Sequence, residues 1–269
     1  AKALGLSSGE LCARLTSIVH GTTVTTNATL TRRGAKTGLL TTVGVRDALE
    51  MRRGIREDQY DNRMTNVVPL VPRYLRLPAR GRLDYQGREL EPLSLDDVRA
   101  AAGVFRSEGV AAVAICFMNA FANPAHERAA ADVLRAELPG AFVSVSSEVL
   151  PAIRFYNRVS TTVLDAFVGP VLRDYLRALT SRLSEAGFQG ALSIMQSSGG
   201  VALPEATAKK PAATLLSGPA AAPRAAAAWA GPSGYADCLV VDMGGTSFDA
   251  SLVRSGAVEL KAEGEIDRL

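Results

Sequence analysis

The sequence predicts an α/β protein, and three observations carry that expectation. Between residues 94 and 149, two capped helical patterns alternate with two short apolar runs, a spacing that implies parallel strands joined by right-handed crossovers. A further apolar run, ALSIMQSSGG (191–200), ends in a glycine-rich turn and leads towards an alanine-rich helix, SGPAAAPRAAAAWAG (217–231). Last, VVDMGGTSFDASLV (240–253) sets two acids, two glycines and two hydroxyls between apolar runs of strand type.

The elements follow in order. Ser7 and Ser8 with Glu10 mark a helix start leading into LCARL, and TSIVHGTTVTTNATL then reads as a strand followed by a polar loop. TGLLTTVG (37–44) reads as a short buried strand, with VRDALEMRRG a helical turn or two behind it. Residues 66–93 read as irregular, punctuated by Pro69, Pro72, Pro78 and Pro92. SLDDVRAAAGVFRSEG is a helix with Ser94 as N-cap and Asp97 three residues on. GVAAVAICFMN is a buried strand. NPAHERAAADVLRAELPG is a helix with Asn123 as N-cap, Pro124 at the first helical position and Gly140 past the end. AFVSVSSEV is a further strand, and a long helical pattern at 161–186 is interrupted at Gly169-Pro170.

Composition narrows the partners. With 47% hydrophobic residues among 269, the chain has material for a large core. Thirty basic and 27 acidic residues leave a net charge of +3, too balanced for a nucleic-acid footprint. Nine arginines lie between Arg46 and Arg82 against five acids, a cluster that reads either as an ion-paired surface or as a contact for an anion or a partner subunit. Cys12, Cys116 and Cys238 form no C-x-x-C pair, and Cys116 and Cys238 sit in apolar runs, as reduced thiols do. No export signal opens the sequence and no apolar run approaches a bilayer span, so the expectation is a cytoplasmic protein without a membrane partner.

The chemistry concentrates in the last hairpin. CLVVDM reads as a buried strand, FDASLV as its antiparallel neighbour, and GGTS as the turn between them. Gly244 and Gly245 let backbone N–H groups approach an anion closely, and Thr246 and Ser247 add hydroxyl donors. Asp242 and Asp249 offer oxygen ligands to Mg²⁺ or another divalent metal. Such parts make a cradle for a polyphosphate and its metal. The plainer alternative is a Gly-Gly hairpin with incidental polar residues. The alanine-rich helix before it fits a close-packed hinge or, equally, an ordinary core helix.

DMGGTSFDASL resembles the second phosphate hairpin of the actin, sugar-kinase and heat-shock ATPase superfamily, whose lobes are ribonuclease H-like, and GPAAAPRAAAA resembles its connecting helix. A narrower likeness covers almost the whole chain. HGTTVTTNATLTRRGAKTGLLTT, MRRGIREDQYDNR, PLVPRYLRL, AICFMNAFANPAHE, SSEVLPAIRFYNRVSTTVLDAFVGP, IMQSSGGV and TLLSGPAAA resemble, in order, the hydantoinase A/oxoprolinase family. The resemblance implies ATP-dependent chemistry on a carbonyl: members hydrolyse cyclic amides such as hydantoins, 5-oxoproline or a lactam, or carboxylate ketones, beside a hydantoinase B-type subunit in a hetero-oligomer. In that chemistry ATP phosphorylates an amide or enol oxygen and makes it a leaving group. A ketone carboxylase subunit and a non-catalytic, truncated nucleotide-binding paralogue are the alternatives.

Carried over by the same resemblance, Asp242, Gly244, Gly245, Thr246, Ser247 and Asp249 would hold phosphates and metal. Gly199 and Gly200, with Ser197 and Ser198 beside them, would approach the nucleotide, and Ser217, Gly218 and Pro219 would open the hinge helix. His20 would be a metal ligand or a proton carrier, the plainer alternative being a loop histidine bonded to nearby backbone; Asp249 would share the catalytic role, and Thr22 and Asn27 belong to the same HGTT motif. His126 reads as structural, and Arg154, Tyr156 and Arg158 as either anion contacts or packing residues. The family's own first Asp-x-Gly-Gly-Thr hairpin would precede AKALGLSS. The expected organisation is therefore a first lobe at 1–236, with 65–150 as an inserted α/β subdomain, and only the opening hairpin of a second lobe at 237–269.

Overall fold

The computed structural model describes residues 2–54, 58–243, 248–259, 263–264 and 266. In chain order the helices and strands are α1 (Ser8–Arg14), β1 (Ser17–His20), α2 (Val24–Leu30), β2 (Thr37–Thr42), α3 (Ala48–Met51), β3 (Arg76–Ala79), β4 (Arg82–Leu83) and β5 (Glu89–Glu91). They continue with α4 (Leu95–Ser107), β6 (Ala112–Cys116), α5 (Ala125–Glu137), β7 (Phe142–Val145), α6 (Ser146–Val149) and α7 (Phe155–Glu185). β8 (Ala191–Met195), β9 (Val201–Ala202), α8 (Pro204–Lys209), α9 (Ser217–Ala230), β10 (Cys238–Met243), β11 (Phe248–Arg254) and β12 (Ala257–Val258) complete the order. The chain divides into two compact units, one of Ala28–Val171 with Ile266–Leu269, the other of Ala1–Asn27 with Leu172–Glu265.

The unit around Ala28–Val171 holds a four-stranded sheet in the order β3-β2-β6-β7, with every pairing parallel. All six residues of β2 and all five of β6 are buried, as the unbroken apolar runs of a parallel sheet require. α4 buries Val98, Ala101, Ala102 and Phe105, and α5 buries Glu127, Ala130, Ala131 and Leu134, each set a single stripe at helical spacing. The Phe105 ring lies against Gly38 of β2, where any Cβ would overlap it. The expected cap of α4 is present: the Ser94 hydroxyl accepts from the Asp97 N–H at 3.2 Å. α5 starts at Ala125, one residue later than expected, yet Asn123 still caps it by accepting from the Ala125 N–H at 3.0 Å.

Three expectations are corrected here. Residues 24–30 form a helix, not a loop: the HGTT threonines sit at its start, where short hydroxyl side chains serve as caps. Part of the irregular 66–93 stretch is β3, which pairs with β2 at the sheet edge, the one place where Pro78 tolerates a missing N–H. α7 runs unbroken from Phe155 through Pro170 to Glu185. Tertiary packing there outweighs the loss of one backbone hydrogen bond: Val159, Val163 and Ala166 lie in one core cluster, Leu172 and Leu176 in another, and Gly169 admits the Phe142 ring where a side chain would clash.

In the other unit, β1 and β8 pair in parallel and β9 adds to β8 antiparallel. Leu172, Leu176, Phe188, Leu192 and Ile194 form its core, with Cys12, Ile18 and Tyr175 packed at the margin. β10, β11 and β12 form an antiparallel ribbon against which α9 packs. The expected hairpin is present, but its expected burial is not. Leu239, Val241, Met243 and Phe248 are between 52% and 76% exposed, while Val253 on the face towards α9 is 1% exposed. One helix covers one face of a ribbon, so alternate residues stay out. Among the described residues no helix is long and apolar enough to cross a membrane.

Candidate functional site

Parallel pairing brings the carboxyl ends of β1 and β8 together, with His20 in register with Ile194. Such strand ends are where open α/β sheets present their loops to ligands. His20 is half-buried, and its Nε2 lies 2.6 Å from the Tyr175 phenol oxygen, with ring centroids 5.8 Å apart and planes inclined at 27°. Burial pushes its pKa below the ordinary imidazole value, so the ring is neutral at pH 7. Beyond β8 the QSSGG turn closes on itself. The Gln196 N–H donates to the Gly200 carbonyl at 2.8 Å and the Gly199 N–H to the Gln196 carbonyl at 2.9 Å. Gly199 has φ of +75° and the Arg224 side chain fills the place of its absent Cβ, so this position takes no other residue without strain.

The start of α9 is tied to the HGTT loop. The Ser217 hydroxyl, fully buried, donates to the Thr22 carbonyl at 3.0 Å, and the Leu216 N–H donates to the Thr26 hydroxyl at 3.0 Å. The buried hydroxyls of Thr25 and Thr214 bond each other at 2.9 Å, and Gly218 passes beside Thr23. Asn27 of α2 donates to the hydroxyl of Thr23, the residue just before that helix, at 3.2 Å. Ser197 donates from both its N–H and its hydroxyl to the Ala213 carbonyl, which ties the QSSGG turn to the segment before α9. His20, Thr22, the QSSGG turn, Ser217 and Gly218 thus meet at one end of this unit.

In the hairpin, Asp242 and Asp249 are register partners on the face shared with Val240 and Val253. Directly opposed carboxylates repel, and two hard oxygen donors at this spacing fit a divalent cation that also takes phosphate and water oxygens. Among the described residues no group of three or more His, Cys, Asp or Glu forms a self-sufficient metal site. Gly244, Gly245, Thr246 and Ser247 lie outside the described residues, as does the side chain of Pro219.

Elsewhere the polar groups are structural. Arg158 is fully buried, donates to the Phe117 carbonyl at 2.5 Å and the Ala152 carbonyl at 3.2 Å, and lies 5.6 Å from the Phe121 and Phe155 ring centres; of its two readings, packing holds. Glu127, also fully buried, accepts from the Phe117 and Ser147 N–H groups and the Ser146 hydroxyl. His126 is buried, with Nε2 2.7 Å from Glu89, as a structural histidine should be. The arginine cluster is largely ion-paired: Arg73 grips Asp47 in a two-pronged contact, buried Arg76 meets Glu50 at 2.9 Å, and Arg80 grips Asp97. Burial pushes the Cys116 thiol up to about 12, which leaves it unreactive, and all three cysteines are free. Tyr156 lines a small cavity of about 20 Å³ with Arg52 and Ser160. Sequence reasoning missed Tyr175 and Arg224, whose partners are 155 and 25 residues away in the chain.

Parallel strands whose end-loops meet a helix of small residues, with an acid-flanked hairpin beside it, define an α/β protein in keeping with an actin-type ATPase lobe. The chain belongs to the hydantoinase/oxoprolinase family: residues 3–138 match the hydantoinase/oxoprolinase N-terminal region and residues 158–269 match hydantoinase/oxoprolinase. It is 40% identical to the caprolactamase subunit alpha of Pseudomonas jessenii over 270 residues, which is 100% of this chain and 39% of that protein. The crystal structure of the ATP-dependent caprolactamase from that organism matches 93% of this chain and 37% of its own with a TM-score of 0.82. A nucleotide-free acetone carboxylase structure, 28% identical, matches 100% of this chain and 39% of its own with a TM-score of 0.90. The 5-oxoprolinase of Saccharomyces cerevisiae is 29% identical over 278 residues, covering 90% of this chain and 21% of that protein. The chain therefore spans about two fifths or less of the length of these relatives.

Proposed function

We propose that this chain is part of an ATP-dependent amidohydrolase that opens a cyclic amide, as the α-type subunit of a two-component enzyme with a hydantoinase B-type partner. The observation that carries this reading is the 40% identity to an ATP-dependent caprolactamase alpha subunit along the whole chain. Residues 1–236 would belong to the first lobe and 237–269 to the opening hairpin of the second. When bound, Mg·ATP supplies the phosphoryl group that makes the amide oxygen a leaving group.

The chain's own share is positioning and charge stabilisation. Asp242 and Asp249 would hold the divalent cation, Mg²⁺ in this reading, with Gly244, Gly245, Thr246 and Ser247 around the phosphates. Gly200 would let the nucleotide approach the QSSGG turn closely, and Gly199 would give that turn its positive φ beside the Arg224 side chain. Ser217 already spends its proton on Thr22, so its part is to hold α9 against the HGTT loop, with Gly218 as the close-approach residue. His20 would face the substrate as a neutral imidazole able to move a proton. Three free cysteines agree with a cytoplasmic setting.

A second reading, an ATP-dependent ketone carboxylase subunit, draws on the acetone carboxylase match across all of this chain. One experiment separates the two. ADP release by the intact protein with its partner subunit is measured with caprolactam, a hydantoin and 5-oxoproline, and with acetone or acetophenone plus bicarbonate. Turnover on a cyclic amide supports the first reading. Bicarbonate-dependent turnover on a ketone alone would replace it with the second.

A further inference from the structure

We propose that Tyr175 is a positioning residue for His20: its phenol donates to Nε2, which leaves the proton on Nδ1 and presents His20 as a neutral N–H donor. The 2.6 Å Nε2–oxygen separation is short for a neutral pair, and it is met by two groups of unequal character. A phenol gives up its proton far more readily than a neutral imidazole does, and an imidazole nitrogen is the better acceptor. The O–H···N arrangement is therefore favoured over N–H···O. The opposite arrangement would be natural for an imidazolium, and burial acts against that charge.

The phenol is held in place by the core. Tyr175 packs on the cluster of Leu172, Leu176 and Ile194, the same cluster that holds Ile18 of β1 two residues before His20. Both partners are thus anchored by strands and a helix rather than by loops. Among the described residues, neither His20 nor Tyr175 has a second hydrogen-bond partner, so Nδ1 is the nitrogen left for a ligand. An Nδ1–H suits an acceptor such as a carbonyl or a developing oxyanion, and it does not suit a cation. The divalent metal then belongs with Asp242 and Asp249 rather than with His20. The catalytic half of this inference rests on the placement of His20 at the proposed active site; the tautomer does not.

The test exploits there being only two histidines. Long-range ¹H–¹⁵N correlation spectra of the ¹⁵N-histidine-labelled chain report which nitrogen carries the proton, with His126→Gln to assign the second ring. The expected result is a protonated Nδ1 and an unprotonated Nε2 for His20. Tyr175→Phe keeps the ring packing and removes the phenol. It should shift both His20 nitrogens towards the averaged positions of a mixed tautomer, with the His126 resonances unchanged as the check on folding. A His20 protonated on Nε2, or a tautomer indifferent to Tyr175→Phe, overturns the proposal. In the intact enzyme Tyr175→Phe should lower kcat roughly 10- to 100-fold, the scale lost with a ring-orienting partner, with KM little changed. Undiminished kcat there overturns the positioning role. Full activity in His20→Gln would instead remove His20 from the proposed active site, while the spectra still read the tautomer, so the two failures are told apart.

Discussion

Asp242 of β10 and Asp249 of β11 are direct register partners, two carboxylates facing each other across an antiparallel ribbon. Opposed like charges cost stability in a ribbon, and a divalent cation bound between them would offset that cost.

Without added divalent cation, Asp242→Asn should therefore leave the chain as stable as wild type or more stable by about 0.2–1 kcal/mol, the usual scale of a cross-strand pair. Urea melts with and without Mg²⁺ check this. A loss of more than 1 kcal/mol in the metal-free melt would show that Asp242 has a structural role instead.

Asp97 receives the Arg80 N–H, Nε and Nη2 at 3.0, 2.8 and 2.9 Å, and these hold its carboxyl well below the usual carboxylate range. Its folded pKa is depressed, so its stabilisation is complete above the unfolded value of about 3.9 and is lost as pH falls through the folded value. Asp97→Asn should cost roughly 1–2 kcal/mol at pH 7. The gap should narrow in acid without closing, as urea midpoints at pH 7 and pH 2 would read.

Glu127 closes the Phe117 and Ser147 N–H groups and the Ser146 hydroxyl in a site with no solvent exposure. Glu127→Ala leaves two buried donors and the half-buried Ser147 N–H without their acceptor and opens a void, a loss on the order of 3 kcal/mol or more. Ser146→Ala, which removes one donor and keeps the carboxylate, should cost less. Equal losses in the two variants would contradict this account of the cluster.

His20 titrates below an ordinary histidine because of burial. Its depressed folded pKa makes the corresponding stability complete above about pH 6.5 and lost as pH falls through the folded value. The stability difference between wild type and His20→Gln should shrink on acidification through that window. Thermal melts from pH 8 to pH 5 would read it, and a difference that grows towards low pH has the wrong sign.

Much of this architecture is legible from local patterns. Ser94 with Asp97, the alternation around β6 and the turn after β8 each depend on neighbours in the chain, and each stands as expected. The errors have long-range causes. Pro170 marks a break only if nothing else holds the helix, and core contacts on both sides of it do. The apolar residues of β10 predict burial, yet α9 covers only one of the two ribbon faces. The site divides the same way. HGTT, QSSGG and SGPA are visible as motifs, whereas the Tyr175–His20 bond joins residues 155 positions apart and leaves no mark in the sequence.

The central claim is an ATP site that depends on the Asp242–Asp249 hairpin, and calorimetric titration of Mg·ATP into the intact protein tests it most directly. The account predicts binding by wild type and by Asp97→Asn, and its loss in Asp242→Ala. Binding of Mg·ATP by Asp242→Ala as tight as that of wild type would contradict it.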